Sequence, residues 1–225
     1  MVVMRTPIVL AAAVMTTIVA PALAVAALTE VGPVAGEAAM PAPSCPAKPC
    51  LAISRTTGYQ AKVGETRGTH VVKENGRIVA WTIKLSKPGK SQIAFFERNL
   101  GGASTAQLTV FRPGNKLYAR ILAQGSAVKL KPYFGTTAQF ALERSIPVKK
   151  GNVIGLSVPT WAPALAISQP GTVSWRASRP KGDCNDFATP TAQTATNNVT
   201  RFFCLYRTAR LTYSATIVPD PKPGA

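Results

Sequence analysis

The chain has 225 residues, of which 46% are hydrophobic and 16% charged, with 26 Lys and Arg against 9 Asp and Glu for a net charge of +17. That hydrophobic content can fill a core and excludes a wholly disordered chain, which requires low hydrophobicity together with high net charge. The length suits one ordinary domain or two small ones, and the basic balance favours polyanionic partners over cationic ones.

In chain order, Arg5 precedes an apolar run from Pro7 to Ala20, broken only by Thr16 and Thr17. Ala22-Leu23-Ala24 then supplies a small-x-small cleavage site, so residues 1–24 read as a signal peptide and the chain as exported. An uncleaved anchor is the alternative, because Pro7 to Leu28 is long enough to cross a bilayer. The Ala-rich run and the cleavage site favour removal. Residues 25–44 are rich in Ala, Pro and Gly without apolar period and read as a flexible linker.

From Cys45 short apolar segments alternate with Gly and Pro. Asn75-Gly76 is a turn signal, and Arg77 to Leu85 follows as a strand with Val79, Trp81, Ile83 and Leu85 on one face. Further strands are predicted at 91–96, 106–112, 117–123, 128–130 and 137–142. A polar turn at Lys149 to Asn152 leads into a strand with Ile154, Leu156 and Val158 on one face. Segments 165–167, 172–177, 201–207 and 210–218 complete the set, and residues 219–225 form a Pro-rich tail. No stretch after residue 44 holds a 3.6-residue period for three turns. The expected fold is all-β: one two-sheet antiparallel sandwich, jelly-roll-like, over residues 45–218.

The four cysteines, Cys45, Cys50, Cys184 and Cys204, all follow the cleavage site. An even number in an exported chain implies disulfides with three possible connectivities, and locality favours Cys45–Cys50 and Cys184–Cys204. The second would tie down the long loop between Ser178 and Val199. A zinc site is disfavoured, because only Cys45 and Cys50 approach metal-ligand spacing and His70 is the sole histidine.

Three phrases carry a resemblance: Arg-Ile-Val-Ala-Trp-Thr-Ile-Lys-Leu around Trp81, Leu-Thr-Val-Phe-Arg-Pro-Gly ending at Arg112-Pro113-Gly114, and Pro-Val-Lys-Lys-Gly-Asn-Val-Ile-Gly-Leu through Gly151 to Leu156. They resemble exported β-sandwich proteins of unknown function from high-GC Gram-positive bacteria. The similarity covers roughly Asn75 to Val158 and extends in general form to jelly-roll, carbohydrate-binding-like domains. It implies a fold and brings no catalytic residue with it.

Catalytic signals are sparse. His70 lies in a polar segment without a nucleophile elbow and reads as a surface residue. Glu97 and Glu143 are the pair a polysaccharide hydrolase would use, although neither has a revealing context. Asp183-Cys184-Asn185-Asp186 offers oxygen ligands but lacks a calcium-loop pattern, so a disulfide-anchored turn is favoured. Ligand contacts are expected at Trp161, in a Pro-framed loop, and at Trp175 with Arg176 and Arg179; the alternative puts Trp81 and Trp175 in the core with Trp161 capping it. Arg201-Phe202-Phe203 and Tyr206-Arg207 superficially suit nucleic acid, but export argues against nucleic acid as the main partner. The expected function is an exported, non-enzymatic binding or structural module that contacts an anionic polymer or glycan of the cell envelope, with no metal, no cofactor and no membrane span after cleavage. The alternative is an envelope polysaccharide hydrolase.

Overall fold

The computed structural model describes residues 27–33, 39–191 and 195–221, so the expected signal peptide and most of the Pro-rich tail lie outside the described residues. In chain order these residues form β1 (Thr29–Val31), β2 (Ile53–Val63), β3 (Thr66–Arg67), β4 (Gly76–Lys84), α1 (Lys90–Asn99), β5 (Thr105–Pro113), β6 (Tyr118–Gln124), β7 (Val128–Lys129), β8 (Thr137–Val148), β9 (Val153–Ala162), β10 (Leu165–Ala166), β11 (Ser174–Ala177), β12 (Val199–Arg201), β13 (Cys204–Arg207), β14 (Arg210–Leu211) and β15 (Tyr213–Pro219). The protein is an all-β antiparallel sandwich. One sheet runs β1-β15-β4-β8 and the larger β12-β6-β5-β9-β2-β11-β13, with β3 and β7 added on β2 and β5. A short β10-β14 ribbon lies beside them.

Period-two burial builds the main core. Ile78, Trp81 and Ile83 of β4 and Tyr213, Ala215 and Ile217 of β15 pack with Leu108, Ile154, Leu156 and Trp175 of the large sheet. Full burial of each large aliphatic side chain contributes about 1.5–3 kcal/mol. The β4–β8 pairing shifts register between Ile78 and Ala80, so Ile78 rather than Val79 is the buried partner of Trp81.

The large sheet also curls. Its two edge strands, β12 and β13, are joined by Phe202 and Phe203 alone. Two linking residues hold those edges within about 11 Å of each other at most. The curl encloses a second core, in which the Tyr59, Phe111 and Phe202 rings meet with centroids 4.7–5.4 Å apart. Ser157 Oγ lies 2.6 Å from both Thr57 Oγ1 and Thr109 Oγ1, so these buried hydroxyls satisfy one another.

Further expectations need correction. Segment 91–96 is part of α1 and not a strand. Gly89 N–H donates to Gln92 Oε1 at 2.7 Å, the first turn follows Pro88-Gly89, and Phe96 is the one residue of the helix that is buried. Its Ile-Ala-Phe-Phe run imitates a strand, but helical spacing turns Phe95 outward and Phe96 inward. The segment read as 201–207 is two strands on opposite edges of the sheet. Within the expected flexible linker, Thr29–Val31 pairs with Ile217–Ala215 as an edge strand. His70 is buried, not exposed: its ring is 4.3 Å from that of Tyr213. Gly32, at φ +123°, passes so close that an added Cβ would lie 2.9 Å from His70 Nε2.

Candidate functional site

Both disulfides have the local pairing, Cys45–Cys50 and Cys184–Cys204. The second clasps the loop after β11 to the start of β13. Tyr206 Oη–H donates to Cys184 O at 2.6 Å from the same strand. Ser54 Oγ–H, at the start of β2, donates to Phe187 O at 2.9 Å. The loop is thereby fastened at both sides, and a cavity of about 420 Å³ is walled between it, the β11–β13 edge, the start of β2 and the β10–β14 ribbon.

The walls are mostly apolar. Trp175 and Tyr206 stack with centroids 4.4 Å apart, Phe187 stands 6.2 Å from Tyr206, and Ile53, Leu165 and Ile167 form the opposite side. Trp175 is buried, and its Nε1–H has no hydrogen-bond partner among the described residues. Such a donor costs about 1–3 kcal/mol when left unmade.

Two cations line the same space. Arg179 is buried, with Nη2–H donating to Ser54 O at 2.9 Å and Nη1–H to Thr189 O at 3.2 Å. Its guanidinium lies 5.7 Å from the centroid of the Phe187 ring. Burial lowers its pKa from the ordinary value, while Tyr206, Asp186 and Asp183 oppose that shift. Arg207 is exposed at the rim, and its side chain makes no hydrogen bond or ion pair with the other described residues. Among the described residues no carboxylate lines the cavity.

The rim is conformationally unusual. Ser168 and Thr208 have φ of 56° and 55°. For a β-branched residue such as Thr208 this is strained backbone, of the kind that collects at binding sites. Gln169 N–H to Thr208 O and Thr208 N–H to Val173 O, both 2.9 Å, hold the two turns together.

The four expected contact residues therefore separate. Trp175 and Arg179 meet in the cavity. Arg176, one residue along β11, turns to the opposite face, where Nη1–H donates to Phe203 O at 2.9 Å and to Phe202 O at 3.3 Å and closes the curl of the large sheet. Trp161 offers no surface for a ligand: it is fully buried, donates from Nε1 to Gly102 O at 2.9 Å, and packs on Phe96 and Phe134. Phe187, Tyr206 and Arg207 were not expected in a common site; their signal in the sequence was the aromatic and basic run around Tyr206-Arg207.

The remaining candidates lie elsewhere. Glu97 pairs with Lys131 at 3.2 Å, Glu143 is exposed on β8, and neither lines the cavity. Asp186 accepts from the backbone of Thr189 at 2.9 Å and Ala188 at 3.1 Å, bonds that hold its pKa below the usual carboxylate value. Its carboxylate thus serves a local turn. Comparison with protein-family models, with curated proteins and with solved structures finds no match to the chain.

Proposed function

We propose that the chain is an exported, non-enzymatic binding module that takes an anionic amphiphile of the cell envelope, the apolar body in the cavity and the charged head at Arg207. The observation that carries this reading is the lining: aromatic and aliphatic walls, two arginines and no acid. The volume falls in the ordinary range for small-molecule pockets, about 300–1,000 Å³. A bare sugar fits less well, because the hydroxyls at the start of β2 are already committed. Ser54 bonds Phe187, and Thr56 bonds Ser178 and Thr191. Two disulfides fit an oxidising compartment. The charge is available to an anion, since the described residues form two ion pairs against a net charge of +17.

Calorimetric titration of the chain lacking residues 1–24 tests it, with laurate as the anionic probe and dodecyl maltoside and a chitooligosaccharide as comparators. Laurate binding is expected, weakened about tenfold by Arg207→Ala, the loss of one charge-assisted contact. Ala209→Trp, which fills the cavity, should abolish it. Binding of the oligosaccharide with no response to laurate would overturn the assignment.

A further inference from the structure

β15 runs between two openings. Ala209, shortly before it, lines the cavity above; Asp220, just after it, lines a separate cleft of about 470 Å³. The cleft lies where the ends of β4, β8 and β15 meet Arg112 of β5 and Leu122 of β6. Among the described residues, Arg77, Arg112 and Lys149 line it against the single carboxylate of Asp220, which leaves it net positive.

These groups are set up as donors. Arg77 is fixed by Nε–H to Ser145 Oγ at 2.7 Å and Nη2–H to Ser145 O at 2.9 Å, which leaves Nη1 without a partner among the described residues. The side chains of Arg112 and Lys149 have no hydrogen bond or ion pair with the other described residues. Asn152 is 6% exposed, and its Oδ1 accepts from Lys149 N–H at 2.8 Å. That bond fixes the amide, and its Nδ2 donor is left without a partner among the described residues. Two guanidinium groups, an ammonium and a buried amide donor with nothing to bond form a ready site for tetrahedral oxyanions.

We propose that this cleft binds phosphate groups, of a phosphorylated small molecule or of a phosphate-bearing polymer. It is independent of the amphiphile cavity, and the two sites would let one domain join two envelope components.

Pyrophosphate and long-chain polyphosphate are the probes, titrated at low salt into the protein lacking residues 1–24, with polyglutamate as a carboxylate polymer. Both phosphates should bind; tighter binding of the long chain points to a polymer, and equal binding per site to a small ligand. Arg112→Ala and Lys149→Ala should each weaken pyrophosphate at least fivefold. Asp220→Asn should strengthen it about threefold, and Arg144→Ala, on exposed β8, should leave it unchanged. The laurate titration should be unaltered in all four variants, which separates failure here from failure of the cavity assignment. An equal loss with Arg144→Ala, no gain with Asp220→Asn, or polyglutamate binding as tightly as polyphosphate would overturn the site in favour of a diffuse basic field.

Discussion

The corner around Trp161 and the cavity around Trp175 are built from the same parts to different ends. Each places a buried indole against an aromatic neighbour and close to a disulfide. Trp161 has Phe96, Phe134 and Cys45–Cys50. Trp175 has Tyr206, whose hydroxyl bonds the carbonyl of disulfide-linked Cys184. At Trp161 the parts close: the indole N–H is bonded to Gly102 O, and α1 covers the ring. At Trp175 the N–H has no partner among the described residues, and a cavity remains beside the ring. Burial alone does not separate a tryptophan in a closed corner from one that walls a cavity; the completeness of its packing and hydrogen bonding does.

The largest effect should come from truncating the two rings. Trp161→Ala empties a sealed site and should cost about 3–5 kcal/mol. Trp175→Ala opens into space that already exists, so it should cost about half as much while abolishing laurate binding. Urea denaturation of both variants checks the contrast. Equal losses would place Trp175 in a closed core.

The disulfides sharpen it next. Replacing Cys184 and Cys204 by Ser frees a 20-residue loop and should cost about 3 kcal/mol; replacing Cys45 and Cys50 should cost about 2 kcal/mol. Laurate binding should be lost with the first pair and kept with the second, as calorimetry under non-reducing conditions would show.

The same contrast explains what was legible in the sequence. Trp81, Ile83, Ile154 and Leu156 announced the sandwich because their sheets have one apolar and one different face, and period two survives in the chain. β2 left no such trace. It is central, between β9 and β11, and buries Thr56, Thr57 and Gln60, whose polar side chains read as loop until their partners are known. Gln60 Oε1, for instance, accepts from Leu211 N–H at 2.9 Å, 151 residues away. The candidate site was half visible: Trp175 and Arg179 stood out as aromatic and basic residues four apart. Ile53, Leu165, Phe187 and Arg207 come from separate segments, and only the curl of the sheet and the Cys184–Cys204 loop gather them. Trp161 misled because prolines on both sides suggest an exposed loop, whereas it lies at the end of β9, where α1 can cover it.

Acid should act on both regions alike, because His70 belongs to the main fold and to neither tryptophan site. Its Nε2–H donates to the carbonyl Tyr213 O at 3.1 Å, and its Nδ1 lies 3.1 Å from the hydroxyl of Thr69. Burial, more than the nearby Arg210, lowers its pKa to about 4 from 6.5. The unfolded chain binds the proton first. The stabilisation is therefore complete above pH 6.5, lost as pH falls towards 4, and totals about 3 kcal/mol over that window. Urea midpoints measured from pH 7 to pH 4 should fall accordingly, and His70→Asn should flatten the slope between pH 6.5 and 4.

The smallest effect is the most discriminating. Trp161→Phe strands the Gly102 carbonyl and loses ring volume from a packed site, so it should cost about 1–3 kcal/mol. Trp175→Phe loses similar volume but also removes a buried donor that has no partner among the described residues, and these changes oppose one another. Its net cost should stay below about 1 kcal/mol. If denaturation found the two substitutions equally costly, the Trp175 N–H would have to be satisfied within the folded chain. The two indoles would then be equally complete in their hydrogen bonding, and only the packing around them would set the cavity apart from the closed corner.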